Sequence, residues 1–420
     1  MLLTALRLVD FRSYATVDLV LAQGATLFLG PNGQGKTNLL EAVEYVATLG
    51  SHRVSSDLPL VRSGCRRAVL QARVQAGPDD DRKLAVDLEI DLDHPNKARL
   101  NKGPVRPRDV VGALRVVLFA PSDLALAQGD PADRRGFLDA LVTTRWPRLA
   151  GVRADFDRAL RQRTALLKIL SGRHGRFSAG AQAADTLEVW DERLADFGAE
   201  MTAARLATLA DLAPRLAERH AMIAPVTSRA GAAYSSRAVP EWALGEGPQS
   251  VAEIADRYRE EIARRRDDEI ARGQSLVGPQ RDDLALTLDG LPVKGYASHG
   301  ESWSVALGLR LASLDVLRED GVEPVLLLDD VFAELDSTRR ARLADVVAVT
   351  DQVLITAAVA DDVPAGLVGE AFDVSAGTVR SRASGEVDSD VLEKGPGGER
   401  VANPAGIDTT VEDDGREEEA

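Results

Sequence analysis

The sequence predicts an α/β protein: a mixed sheet with flanking helices, interrupted by a coiled-coil-like helical arm and followed by an acidic tail. Three observations carry that expectation. A glycine-rich loop joins the apolar run "ATLFL" to the amphipathic stretch "TNLLEAVEYVATLG". A second apolar run, "VLLLDD" at residues 325–330, ends in paired aspartates. Between the two, residues 126–276 carry mostly helical periodicity.

Residues 1–125 form the first part of the head. Strand-like runs occur at "AVLQARVQ", "LAVDLEIDL" and "LRVVLF". The loop reads Gly30-x-x-x-x-Gly35-Lys36-Thr37, the spacing of a phosphate-binding P-loop. Its strand–loop–helix setting is the one in which such a loop works. Gly30, Gly33 and Gly35 let backbone N–H groups close around phosphates, and the helix N-terminus adds its positive end. Gly30, Pro31, Asn32, Gly33, Gln34, Gly35, Lys36, Thr37 and Asn38 are therefore the expected cradle for ATP. Lys36 reaches the outer phosphates, and the Thr37 hydroxyl ligates Mg²⁺.

Residues 126–276 are assigned to the arm. "RRGFLDALVTTRWPRLAGVRADFDRALRQRTALLKIL" is amphipathic with a bend at Pro147, and the glycine-rich "SGRHGRFSAGAQA" ends it. Leu187, Trp190, Leu194, Phe197 and Met201 then follow alternating steps of three and four, a heptad-like seam. Leu212 and Leu216 continue it past a kink at Pro214, and a third helix follows at "SVAEIADRYREEIARRRDDEIARG". An antiparallel arm is the simplest arrangement, and forty helical residues span about 60 Å.

Residues 277–383 return to strands and short helices and complete the head. In "VLLLDD" a buried strand delivers Asp329 beside Thr37 for Mg²⁺, a Walker B arrangement, and Asp330 orients or activates the attacking water. About thirty residues earlier, Ser298-His299-Gly300-Glu301 opens a helix and is similar to the signature motif of ABC-type ATPases. A serine hydroxyl and exposed amides at a helix N-terminus suit a γ-phosphate. A plain serine cap with Glu301 closing a capping box has the same sequence. The order P-loop, insertion, signature, Walker B and then "AELD" with Asp336 as a D-loop resembles an ABC-type ATPase. In that class the signature meets ATP held by a second subunit, so the resemblance implies an ATP-dependent homodimer with Ser298, Gly300, Glu301 and Asp336 at the composite site. Where such proteins often carry a switch histidine, "VLITAAV" offers Thr356.

Composition sets the remaining bounds. The chain has 420 residues, of which 45% are hydrophobic, and a single cysteine, Cys65. That excludes disulfide frameworks and CxxC zinc sites. The N-terminus does not read as a signal peptide, and no run of about twenty apolar residues suggests a membrane span. A cytoplasmic protein without a membrane partner is expected. The net charge of −15 is unevenly spread. Residues 384–420 hold twelve acids and three bases and are expected to be disordered, whereas residues 133–176 hold eleven bases and four acids. Arg145, Arg148, Arg153, Arg158, Arg161 and Arg163 near the arm's base are candidate phosphate contacts for DNA.

The chain resembles, from residue 1 to about 380, the RecF family of bacterial recombination-mediator ATPases, which are related to SMC proteins. "LVDFRSY" is similar to the family's opening strand and "GPNGQGKTNLLEA" to its P-loop. "PSDLALAQGDPADRRGFLD" matches a family signature, including Gly129, Pro131, Arg134, Arg135, Phe137 and Asp139, and "LLLDDVFAELDSTRRARL" matches a second. Gln280 stands where the family commonly has His, and Ser302 where Gln is frequent. The resemblance implies ATP-dependent binding of single- and double-stranded DNA at gaps and junctions. It also implies cooperation with RecR and RecO in loading RecA, with roles in replication and SOS induction, and a weak DNA-stimulated ATPase. Two rivals are a transporter ATPase subunit and a nucleotide-switched scaffold with negligible hydrolysis.

Overall fold

The computed structural model describes residues 1–171, 179–224, 228–236, 239, 250–367 and 369–382. Most of the glycine-rich segment and the acidic tail lie outside them.

Two six-stranded sheets build the head. The first is antiparallel throughout, in the order β2 (Tyr14–Val20), β1 (Leu2–Phe11), β4 (Arg67–Gly77), β5 (Asp80–Asp91), β6 (Lys97–Leu100) and β7 (Gly103–Val105). β4 alternates buried and partly exposed residues, the signature of a sheet with one face on the core. The second sheet runs β15 (Thr378–Ser381), β14 (Glu370–Ser375), β3 (Gly24–Leu29), β13 (Gln352–Ala357), β12 (Val325–Asp329) and β8 (Val116–Phe119). Its five strands from β14 to β8 are parallel, and β12 and β13 are buried at every position. That explains their unbroken apolar runs, since a parallel strand covered on both faces needs no polar side.

The P-loop helix α1 (Lys36–Thr48) packs against strands of both sheets and buries Leu39, Leu40, Ala42, Val43, Val46 and Ala47. Apolar around most of its circumference, it is a central helix rather than a surface one. Gln352, fully buried on β13, also ties the sheets together. Its amide donates to the carbonyls of Leu3 and Ala22, both at 2.9 Å, and its oxygen accepts the Leu3 N–H at 2.7 Å.

After β8, helices α2 (Leu124–Gln128) and α3 (Pro131–Arg145) lead to α4 (Leu149–Ser171), α5 (Ala179–Ile223) and α6 (Val251–Arg272). The chain breaks between α3 and α4 at Trp146–Arg148, around the expected bend at Pro147. α5 is 45 residues long and includes Pro214 within its helical span. Arg148 pairs with Glu200 and Arg163 with Asp191, so α4 and α5 run antiparallel. Arg259 reaches Asp196 and Arg266 reaches Asp191, so α5 and α6 do the same. Ser250 caps α6 through a capping box with Glu253, and Gly273 at φ 62° stops it.

The stretch 126–276 is not helical throughout. β9 (Ala230–Ser235) pairs antiparallel with β10 (Asp283–Leu288), which pairs with β11 (Leu291–Pro292) in a third sheet. A strand from the arm segment is thus stitched into the returning head segment. The family signature reinforces this seam. Arg134 holds Asp283 bidentately at 2.8 and 2.9 Å, Arg135 donates to the Asp282 carbonyl, and Asp139 is paired with buried Arg205. A short irregular helix, α7 (Val293–Tyr296), then precedes α8 (His299–Glu319); α9 (Ser337–Ala348) follows β12. Among the described residues no helix is long and apolar enough to cross a membrane.

Candidate nucleotide site

Parallel strands bring their carboxyl ends to one edge, and the site is built there. Register places Asp329 of β12 opposite Thr356 of β13, and Thr356 opposite Phe28 of β3, immediately before the P-loop. Thr37 Oγ1 donates to Asp329 Oδ1 at 3.0 Å, and Thr356 Oγ1 donates to the same oxygen at 2.8 Å. Lys36 curls over its own loop, donating to the Gly30 carbonyl at 2.8 Å and Asn32 Oδ1 at 3.2 Å, and lies 3.9 Å from Asp330 Oδ2.

Two of the loop glycines, Gly30 and Gly35, are dictated by space. A Cβ on Gly30 would collide with the Val374 carbonyl, and one on Gly35 would lie 2.8 Å from both Ser13 Oγ and Tyr14 Oη. Gly35 also sits at φ 113°, a conformation that L side chains rarely adopt. Tyr14 donates to the Gly35 carbonyl at 2.9 Å, and burial raises its phenol pKa further above the ordinary value. Gln34 accepts the Ala376 N–H, and Asn38 bridges Ser13 and Arg53. The cradle is therefore clamped by both neighbouring strand turns.

Asp330 leaves the strand at φ 51°, a left-handed conformation that Asp tolerates better than most residues. Its N–H donates to Thr356 Oγ1 at 2.9 Å. Burial raises its carboxyl pKa above the usual range; Lys36 opposes this and Asp329 adds to it. Thr356, only 1% exposed, is thus engaged with Walker B rather than directed outward as a phosphate sensor.

A second cluster forms at the start of α8. Ser298 Oγ accepts the Glu301 N–H at 3.3 Å and Glu301 accepts the Ser298 N–H at 2.8 Å, so the capping box is present. Because the Ser298 oxygen acts as acceptor there, its O–H hydrogen is left to donate. Asp336 caps α9, accepting the Arg339 N–H at 2.9 Å. Among the described residues no hydrogen bond or ion pair joins this cluster to the P-loop cluster.

The arginines near the arm's base divide. Arg163 is fully buried, held by Asp191 at 2.6 Å, Glu269 at 2.5 Å and Ser275 at 2.9 Å, and cannot meet DNA. Arg145 has a side chain 7% exposed and is taken up by Asp211 and Asp320. Arg148, Arg158 and Arg161 are exposed, and Arg153 is half-buried. Arg148 also lines a cleft of about 520 Å³ with Arg106 and Arg108, two residues that the sequence did not single out. Ser13, Tyr14 and Arg53 were missed as well; Ser13 and Tyr14 lie in "LVDFRSY", whose local pattern reads only as strand and turn.

The oxygen donors of Thr37 and Asp329, beside a loop of backbone amides, fit Mg²⁺ and a triphosphate. Such a Mg²⁺ takes one or two protein oxygens and completes its shell with phosphates and water.

Comparison with known proteins places these features in a lineage. The RecF/RecN/SMC N-terminal domain matches residues 2–365. The chain is 55% identical over 382 residues to the DNA replication and repair protein RecF of Cutibacterium acnes, covering 89% of this chain and 96% of that one. It is 54% identical over 382 residues to the protein of the same name from Frankia alni, covering 90% and 98%. A solved structure of the recombination mediator protein RecF-ATP in the RecFOR pathway matches with a TM-score of 0.80 at 24% identity, covering 91% and 97%, a likeness of fold. An SMC-type head built around a P-loop, with sequence identity sustained along nine-tenths of its length, leaves one assignment: the chain belongs to the RecF family of DNA replication and repair proteins.

Proposed function

We propose that the chain binds ATP and, through it, DNA near gaps and single-strand/double-strand junctions, acting in the cytoplasm in recombinational repair. The observation that carries the nucleotide part is Asp329 Oδ1, reached by two hydroxyls beside a clamped glycine loop. Thr37 and Asp329 would hold Mg²⁺, whose charge offsets that of the β- and γ-phosphates when it is bound. Lys36 exchanges its loop carbonyls for phosphate oxygens, and Asp330 orients the attacking water. Ser298 donates its hydroxyl hydrogen toward ATP held by a second copy, so ATP closes a head-to-head homodimer and hydrolysis releases it. Gly300 and Glu301 shape that helix end, and Asp336 is linked to it through Arg339.

For DNA, Arg158 and Arg161, together with the cleft that Arg148 lines with Arg106 and Arg108, supply phosphate contacts that need no base code. RecR, RecO and RecA are the expected partners, with roles in replication and SOS induction. The family relationship and the RecFOR pathway of the similar structure support this part.

Sedimentation of Ser298→Arg with saturating ATP tests the sandwich. The variant should bind ATP as a monomer and fail to dimerise. Dimerisation equal to that of the unmodified protein overturns the composite site. A second reading, a nucleotide-switched scaffold with negligible hydrolysis, is favoured by Asp330 itself. It is one methylene shorter than Glu and lies 3.9 Å from Lys36. Single-turnover hydrolysis with and without DNA separates the two.

A further inference from the structure

One guanidinium joins the two motifs of the second cluster. Arg339 donates from Nε to Ser304 Oγ at 3.0 Å and from Nη2 to the Gly300 carbonyl at 3.1 Å, both in the first turns of α8. Its Nη1 meets Asp336 Oδ2, and its own N–H is capped by the other Asp336 oxygen. The Arg339 side chain is 13% exposed and its partner Asp336 48%, so the guanidinium packs against α8 while the carboxylate reaches solvent. A Cβ on Gly300 would stand 3.4 Å from Nη2, an ordinary van der Waals contact, so the guanidinium lies directly against the first turn of the helix.

The placement is unfavourable if stability alone is considered. A cation beside a helix N-terminus opposes the macrodipole, which prefers anions at that end. Asp336 offsets that charge, and the planar fork is retained for its reach to several acceptors at once. Helix ends fray, and the first turn of α8 carries the amides and the Ser298 hydroxyl that the composite site requires. We propose that Arg339 is a positioning residue, fixing the start of α8 to Asp336 so that the Ser298 turn meets a second copy's nucleotide in one geometry. This rests on the sandwich reading above for its consequence, but not for the tie itself.

The test uses the full-length protein, with Arg339→Met keeping the side-chain stem and Arg339→Lys keeping the charge. Hydrogen exchange of the nucleotide-free protein should show faster exchange over residues 299–305 in Arg339→Met, with the P-loop segment unchanged. Affinity of the monomer for a fluorescent ATP analogue should stay within about twofold, while ATP-induced dimerisation weakens about tenfold or more. Arg339→Lys should fall between, because one ammonium cannot span the same acceptors. Unchanged exchange over 299–305 overturns the tie. Faster exchange with normal dimerisation overturns the positioning role. An unmodified protein that stays monomeric with ATP overturns the sandwich reading and the consequence for pairing, while the exchange result still decides whether Arg339 holds the helix.

Discussion

Thr356 and Asp329 face each other across adjacent parallel strands, and the threonine hydroxyl donates to the carboxylate at 2.8 Å while accepting the Asp330 N–H at 2.9 Å. One buried hydroxyl therefore sets both the carboxylate and the strained residue after it. Groups that orient a metal ligand typically contribute 10- to 100-fold to affinity or activity. Thr356→Val should lower Mg²⁺-dependent ATP hydrolysis by about that factor and leave the Asp330 N–H without its partner, a cost of about 1–3 kcal/mol. Thr356→Ser should restore most of both. Steady-state hydrolysis against Mg²⁺ concentration, with urea unfolding alongside, checks it.

Lys36→Ala removes the charge that the loop gathers toward phosphate. ATP affinity should fall at least tenfold with the melting temperature little changed, because the ammonium's partners are loop acceptors and partly exposed Asp330. Lys36→Arg should retain binding but misplace the charge. Titration calorimetry with ATP distinguishes the variants.

Asp329→Asn and Asp330→Asn should part company. Asp329→Asn weakens Mg²⁺ handling, since the oxygen shared by Thr37 and Thr356 loses its charge. Asp330→Asn should bind ATP normally, hydrolyse it more slowly and accumulate the dimer. Asn also accepts the left-handed backbone at this position, so folding is expected to persist. Sedimentation with ATP over time reads the difference.

His52 provides a stability switch close to the site. Burial by itself lowers its pKa, but Glu44, hydrogen-bonded at 2.6 Å, together with the charges of Asp329 and Glu41, raises it above the usual value. A histidine with a raised folded pKa contributes stability fully below its unfolded pKa and loses it as pH rises through the folded one. The contribution of His52 to unfolding free energy should therefore decline from about pH 6.5 upward, and His52→Gln should remove that part of the pH dependence. Denaturant titrations between pH 5.5 and 8.5 measure it.

Arg163 and Arg161 lie two residues apart on α4 and should fail in different ways. Arg163→Met leaves Glu269 charged and buried without its partner, which costs about 3–5 kcal/mol. Arg161→Ala should leave stability unchanged and weaken DNA binding more at low salt than at high salt. Urea denaturation and DNA titration at two salt concentrations separate structural from binding roles.

The site was legible wherever local spacing determines local geometry. "GPNGQGKT" defines a loop in which Gly30 and Gly35 leave no room for a Cβ and Gly33 takes a left-handed backbone, and "VLLLDD" defines a strand buried on both faces. What the sequence hid depends on partners far along the chain. Tyr14 matters because it reaches Gly35, Thr356 because register sets it beside Asp329, and β9 because it pairs with β10. The six arginines show the same limit. Their charge is plain in the sequence, but whether each points to solvent or into an ion pair depends on acids elsewhere in the fold: Asp191 and Glu269 of α5 and α6 bury Arg163, and Asp211 of α5 with Asp320 after α8 takes up Arg145.

Strand order also governs how the protein is made. β3, finished by residue 29, sits between β13 and β14, which end at residues 357 and 375. A ribosome adding about 5–20 residues per second needs roughly 20–70 s to supply those neighbours. Throughout that interval the nascent chain holds an apolar strand with both hydrogen-bonding edges unpaired, beside a finished phosphate loop. Synthesis of the intervening helices thus delays closure of the parallel sheet, and early termination anywhere before β13 yields a fragment with an open, aggregation-prone edge.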